Sequence, residues 1–444
     1  MTGQDSAVEA GEIRPFWRDP SAWSRIADVV AILAVVSLPW STSLLSIFLV
    51  IWILVVAPSI DVRAFMRSLK RPVCALPIAL FALAVVGTLW SQAPWNARMY
   101  YVGPTAKLVV LPLLIFHFER SPAGLKVFAA FLTSCTLLLV LSWSMYAFPA
   151  WANHVQNSLG MRPSGYAGLP VKNYITQSQE FVVCAFGCAI ATLIAWKHGR
   201  KLVGTCLALL GAGFLANPLF VVSARTALVT VPVVALVLTA RCLSRRAAIL
   251  VMILMTAFIM IFWTYSPYFR TRLGDIRAGY EQSVGESTIN SSGLRLEFWQ
   301  KSLEFLREAP LIGHGTGSVR GLFERAAIGK TGLAAEAVSN PHNQTLYFGI
   351  QWGSLGIALL FAMWGAHYWM FRGNGWGSWL GTLVVVQNIV GSIFNSHLSD
   401  FVEGWIYVIG VGIAGGMLRS GFDGDWRAET VNRFRPLSRS HCSK

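Results

Sequence analysis

The chain has 444 residues, 55% of them hydrophobic and only 13% charged, a balance that excludes an ordinary soluble domain and fits a protein solvated mainly by hydrocarbon. Its formal net charge of +15 raises the question of a nucleic-acid partner. The basic residues, however, fall in short clusters between apolar runs, so they mark membrane topology and argue against that class.

Residues 1–25 are polar and lack a short apolar core followed by a small-residue cleavage site, so they read as a cytoplasmic amino-terminal segment with no signal peptide removed. Residues 26–266 then carry nine apolar runs, near 26–39, 44–57, 73–89, 108–118, 127–148, 175–196, 202–215, 227–240 and 247–265. A polar stretch, 267–341, interrupts the series. Three more runs, near 345–371, 376–394 and 401–418, occupy the block 342–419, and 420–444 is a basic tail. The expected fold is an all-α polytopic membrane protein of about 12 transmembrane helices with one large helical loop. Arg63, Arg67, Lys70, Arg71, Arg120, Lys126, Lys197, Arg200, Lys201, Arg241, Arg245, Arg246 and Arg372 fall in alternate short loops, whereas the other short loops hold only Arg98, Lys107, Arg162, Lys172 and Arg225. The positive-inside rule therefore puts both termini in the cytoplasm and the polar stretch outside. All seven cysteines lie in spans or on the inner side, so the outer loop has no disulfide; Cys184 and Cys188, one helical turn apart, read as small packing residues.

Within the polar stretch, the apolar spacing of Leu294, Phe298, Leu303, Phe305 and Leu306 predicts an amphipathic helix over 293–308, capped at Asn290, Ser291 or Ser292, with Arg295, Lys301 and Arg307 on its polar face. A glycine-rich turn follows, Pro310 to Ser318, then a short helix over 319–327. The turn lacks the lysine and the preceding strand of a nucleotide loop. It reads as a flexible connection, with close backbone approach to a ligand as the alternative.

His342 stands where the stretch ends. Ser339 or Asn340 as cap and Pro341 at the first helical position place His342 in the first turn of the tenth span, where the helix dipole disfavours imidazolium and favours an anion. A neutral imidazole there is suited to general base work. The plainer reading, an interfacial histidine bonded to a carbonyl, stands beside it, and His117, His154, His314 and His397 take that reading more strongly. Arginine is the side chain suited to diphosphate, because its planar fork stays charged and bonds in pairs. Arg225 at the edge of the eighth span, Arg295 on the loop helix and Arg162 are the candidates on the outer side. Several such arginines on one side with His342 favour an anionic lipid headgroup as ligand.

The series Ser223-Ala224-Arg225-Thr226-Ala227, Arg295 with Phe298-Trp299-Gln300, Pro310 to Gly317, and His342-Asn343-Gln344-Thr345-Leu346 resembles, in order and spacing, the O-antigen ligase family. Its relatives include O-antigen polymerases and protein O-oligosaccharyltransferases. The resemblance implies a C-type glycosyltransferase-like enzyme, independent of metal and cofactor, at the periplasmic face of the bacterial inner membrane. The implied donor is undecaprenyl-diphosphate-linked O-antigen, and the implied acceptor is lipid A-core. Carried over by position, His342 is the base for the acceptor hydroxyl, and Arg225 and Arg295 engage the donor diphosphate. Arg162 matches an Arg-x-Ser-Gly pattern. Asp400, in Asn395 to Asp400, matches an acidic position that orients His342 or an arginine, unless it caps the last span. The single histidine, after Pro341, departs from relatives with a histidine pair.

Such a site needs one base and a cationic clamp, because a lipid diphosphate met by arginines leaves readily. Direct displacement predicts inversion at the anomeric carbon. Asp423-Gly-Asp425 has the spelling of a metal-binding pair but lies in the cytoplasmic tail, where it reads as a solvated turn. The rivals are a polymerase, whose two lipid diphosphates call for two basic clusters, and a flippase lined by Gln177, Gln179 and Glu180. No internal repeat supports the latter.

Overall fold

The computed structural model describes residues 19–158, 168–222, 224–242 and 291–420, with scattered positions between 246 and 260. Arg162, Ser223, most of the expected span at 247–265, the polar stretch before 291, and Asp423, Asp425 and Cys442 in the tail lie outside the described residues.

Among the described residues every regular element is helical. Asp19 caps α1 (Pro20–Ser37), its Oδ1 accepting from the Ser21 N–H at 2.9 Å with proline at the first position. There follow α2 (Thr42–Val56), α3 (Val62–Leu69), α4 (Pro72–Val86), α5 (Trp95–Ala106) and α6 (Val110–Phe118), then α7 (Gly124–Ala147), α8 (Pro149–Ser158), α9 (Tyr174–Lys197), α10 (Lys201–Phe220) and α11 (Arg225–Cys242). After the next described stretch begins come α12 (Ser291–Glu308), α13 (Val319–Ala327), α14 (Gln344–Met370), α15 (Trp376–Phe394) and α16 (Phe401–Met417). The loop helices fall where the apolar spacing puts them.

Among the described residues seven segments are long and apolar enough to cross a bilayer, or eight if α3 and α4, bent by 81°, form one span. Thr226–Arg241 and Phe401–Met417 are shorter apolar helices. The chain is thus a polytopic helical membrane protein. In α9 and α15, 78% and 83% of the most apolar stretch is buried, against 22% and 28% in α2 and α10. The first pair therefore forms the centre and the second pair faces lipid.

Loop contacts sort into two groups. Arg71, expected inside, pairs with Glu119, and Arg419 Nε lies 3.7 Å from the same carboxylate. Arg241 Nη2 donates to the Phe371 and Gly373 carbonyls at 2.6 and 2.8 Å. At the other end, Lys172 reaches the Leu38 carbonyl and the Thr316 N–H donates to the Gly87 carbonyl at 3.0 Å. Each of these contacts joins segments that the charge pattern assigns to one side.

Three expectations change. The fourth span is longer than the apolar run at 108–118, because α5, a 3-10 turn over Lys107–Val109 and α6 join into one 24-residue segment, Trp95–Phe118. Lys107 is therefore no loop residue; it is 6% exposed inside this segment. The glycine-rich turn is neither loose nor a ligand loop. It fills a break in α14, where Gly353 adopts φ 59° and ψ −153°: the His314 and Gly315 N–H groups donate to the Ile350 and Gln351 carbonyls, and the Ser354 N–H donates to the Pro310 carbonyl, at 2.8–2.9 Å. Gly313, Gly315 and Gly317 all have positive φ, and a Cβ at Gly313 or Gly315 would come within 2.5 Å of the Gln351 or Ser91 backbone. Close approach to the protein's own backbone is the reason for these glycines. Finally, α14 begins at Gln344, with Asn343 as its cap accepting from the Leu346 N–H at 3.0 Å. Asn340 is occupied elsewhere, so His342 precedes the helix and is not in its first turn.

Candidate active site

His342 has φ 56°, the only positive φ at a non-glycine position among the described residues. Such a conformation costs energy and persists only where neighbours impose it. Those neighbours are specific. Asn340 Oδ1 accepts from the His342 N–H at 2.9 Å and from Ser396 Oγ at 2.7 Å. Asn343 Nδ2 donates to the Ile393 carbonyl at 3.0 Å, and Gln344 exchanges two bonds with Ser399, at 2.9 and 3.0 Å. The segment before α14 is thus laced to the loop between α15 and α16, residues 395–400.

That loop also fixes the ring. His342 Nδ1 lies 2.9 Å from Asn395 Oδ1. An amide oxygen accepts, so Nδ1 holds the proton and the lone pair of the neutral ring sits on Nε2. Burial holds the imidazole below its ordinary value; the Asn395 bond pulls the other way, and the Arg295 charge lowers it further. The neutral, proton-accepting form therefore dominates near pH 7.

Arg295 reaches this place through α12. Trp299, one turn later on the same face, donates its indole N–H to the Pro341 carbonyl at 3.1 Å, and α12 packs on α14. Lys301, on the same helix, bonds the Ala334 carbonyl at 2.6 Å and is 7% exposed, so it braces the loop. Arg225 is the first residue of α11; its side chain lies outside the described residues. Its level can still be placed. Arg241 at the far end of α11 bonds Thr382 of α15. From there α11 climbs about 24 Å to Arg225 and α15 about 20 Å to Asn395 at 1.5 Å per residue. Arg225 thus lies within about a turn of the level of Asn395.

Asp400 stands at the cap position of α16 without a side-chain cap bond. The residue bonded to the His342 ring is Asn395, and the groups that act on the Asp400 carboxyl are Glu403 and Lys107. Burial pushes that carboxyl well above the usual carboxylate range. Lys107 Nζ holds the same loop by its backbone, 3.2 Å from the Ser399 carbonyl and 2.5 Å from the Asp400 carbonyl. Asn395 and Lys107 were not singled out from sequence; the only signal for Asn395 was its place in the short segment that ends at Asp400.

Two of the other histidines have structural partners: His314 Nε2 meets the Phe305 carbonyl at 2.8 Å, and His117 Nε2 meets Asp28 at 2.8 Å. Gln177 bonds Ser142 and Asn217 at 3.1 and 3.2 Å, and Gln387 bonds the Gln179 side chain at 2.8 Å. These polar groups tie α7, α9, α10 and α15 together.

No curated protein matches this sequence. Residues 174–361 match the family model described as O-Antigen ligase, a stretch that contains Arg225, Arg295 and His342 and ends before Asp400. That segment, which supplies both the imidazole and the arginine beside it, is the part of the chain that is similar to the O-antigen ligase family.

Proposed function

We propose that the protein is an O-antigen ligase that transfers O-antigen from undecaprenyl diphosphate to a hydroxyl of lipid A-core. The observation that carries the reading is His342 in a forced conformation, with Nδ1 bonded to Asn395 and the Arg295 charge beside it. In this mechanism Nε2 takes the proton of the acceptor hydroxyl as its oxygen attacks the anomeric carbon. The bond from that carbon to the diphosphate breaks, and its electron pair leaves with the lipid diphosphate. Arg295 and Arg225 meet the charge that develops on the leaving group. Arg225 opens a helix, whose amino terminus also favours an anion. Attack opposite the leaving group inverts the anomeric configuration, and two guanidinium groups supply the charge that a divalent cation would otherwise bring. Arg162 is assigned to the donor as well, and Asp400 to support of the loop that carries Asn395.

The expected sidedness follows from the charge pattern: inner membrane, both termini cytoplasmic, with the site on the periplasmic face. The test is reconstitution of the purified chain with lipid-linked O-antigen and chelator present, offered either lipid A-core or a second lipid-linked repeat unit. Product on lipid A-core is expected. Elongation of the lipid-linked unit instead would make the chain a polymerase, and failure of both in active membranes would sink the glycosyl-transfer reading.

A further inference from the structure

A groove of about 780 Å³ runs between α2, α5 and α16. At its membrane end lie Leu49, Val50 and Ile53 of α2, the lipid-facing helix, where Val50 is 58% exposed. At its other end lie Tyr101, Asn340, Ser399 and Asp400. Asn340 is the residue that holds the His342 N–H. The groove therefore leads from lipid to the turn that carries the imidazole.

Its lining is chemically unlike the arginine side. Arg295 does not border it, and among the described lining residues Lys107 is the only cation. The Lys107 nitrogen is engaged by the Ser399 and Asp400 carbonyls. A diphosphate would meet Asp400 with no guanidinium to offset it. Sugar hydroxyls suit the amide, hydroxyl and carboxyl groups of Asn340, Ser399 and Asp400, and the tyrosine rings offer flat surfaces to sugar faces.

We propose that this groove admits the acceptor glycolipid, with its acyl chains along α2 and its terminal sugar at Asn340 and Asp400, while the donor diphosphate approaches from the Arg295 side. The proposal rests on the ligase reading for the identity of that glycolipid. Two lipids then meet at His342 from separate directions, and neither has to leave before the other binds.

The test uses the full chain in nanodiscs with a photo-reactive phenylalanine analogue at Tyr100, which lines the groove and is 73% exposed. Illumination with lipid A-core is expected to give a cross-link that excess lipid A-core competes away and undecaprenyl diphosphate does not. A cross-link to undecaprenyl diphosphate, or none to lipid A-core, overturns the proposal. Because this readout needs no turnover, a cross-link to lipid A-core without transfer would sink the ligase reading alone, and transfer without a cross-link would sink the groove alone. Gly103 supplies a second measurement: it lines the groove and a Cβ there meets nothing within 4 Å, so Gly103→Trp adds bulk at the groove wall. It is expected to raise KM for lipid A-core about tenfold, equivalent to about 1.4 kcal/mol, with donor Kd unchanged and Gly103→Ala behaving as wild type. Loss of donor affinity instead, or no kinetic change, contradicts the assignment.

Discussion

His342 is a histidine that its neighbours do not allow to relax. A free residue would abandon φ 56°; here Asn340, Asn395 and the cap at Asn343 hold backbone and ring together. The Asn395 bond selects the tautomer, so it governs both the direction of the lone pair and the basicity of the ring. This gives a prediction with a sign. Burial places the imidazole below its ordinary value of 6.5, so the rate should rise with pH through an acid limb below that value and be flat near pH 7. Asn395→Asp puts a carboxylate against Nδ1, stabilises imidazolium and should move that limb upward, which a pH profile of transfer would record. A limb that stays in place would separate Asn395 from the base. For the clamp, Arg295→Lys keeps the charge but loses the planar fork. It should weaken donor binding about tenfold, or about 1.4 kcal/mol, measured as Kd for undecaprenyl diphosphate, with little change for lipid A-core.

The elements show where sequence stops being readable. Helix α12 was legible, because apolar spacing and the stop before Pro310 fix it, and α13 follows the glycine-rich turn where the sequence places it. The start of α14 was not, since Asn340 and Asn343 are equally good caps until Ser396, remote in sequence, occupies Asn340. Nor did the glycine-rich turn disclose its role. Its partner is a break inside a continuous apolar run, and only the pairing of His314, Gly315 and Ser354 across Gly353 reveals it. That pairing staples the polar loop into the span that His342 precedes. Gly353→Ala and Gly313→Ala each force an L side chain into positive φ against facing backbone, at a cost of about 1–3 kcal/mol. Both should lower the melting temperature of the detergent-purified protein, while Gly365→Ala, where a Cβ meets nothing within 4 Å, should leave it unchanged or raised. Equal melting for all three would remove the staple from the account.

At the scale of the molecule, hydropathy disclosed a helical bundle and the charge pattern gave it a consistent pair of ends. Side-chain chemistry hidden within spans stayed out of reach. Lys107 looked like a loop residue because sequence cannot announce that two backbone carbonyls, at Ser399 and Asp400, receive its nitrogen. The arrangement has a sidedness that can be measured. In a chain without Cys206 and Cys442, Leu89→Cys should react with a membrane-impermeant maleimide added to intact spheroplasts, and His198→Cys only after the membrane is opened. Both positions are exposed. The reverse pattern would turn the site toward the cytoplasm and exclude lipid A-core presented at the periplasmic face. The proposed mechanism rests on His342 in the segment before α14 acting as the base, with the loop that carries Asn395 orienting it and Arg225 and Arg295 meeting the donor. The measurement that tests this most directly is single-turnover transfer to lipid A-core by His342→Ala, with donor Kd determined on the same sample. A loss of about a hundred- to ten-thousand-fold in rate is expected with donor binding retained; transfer at the wild-type rate would rule out His342 as the base.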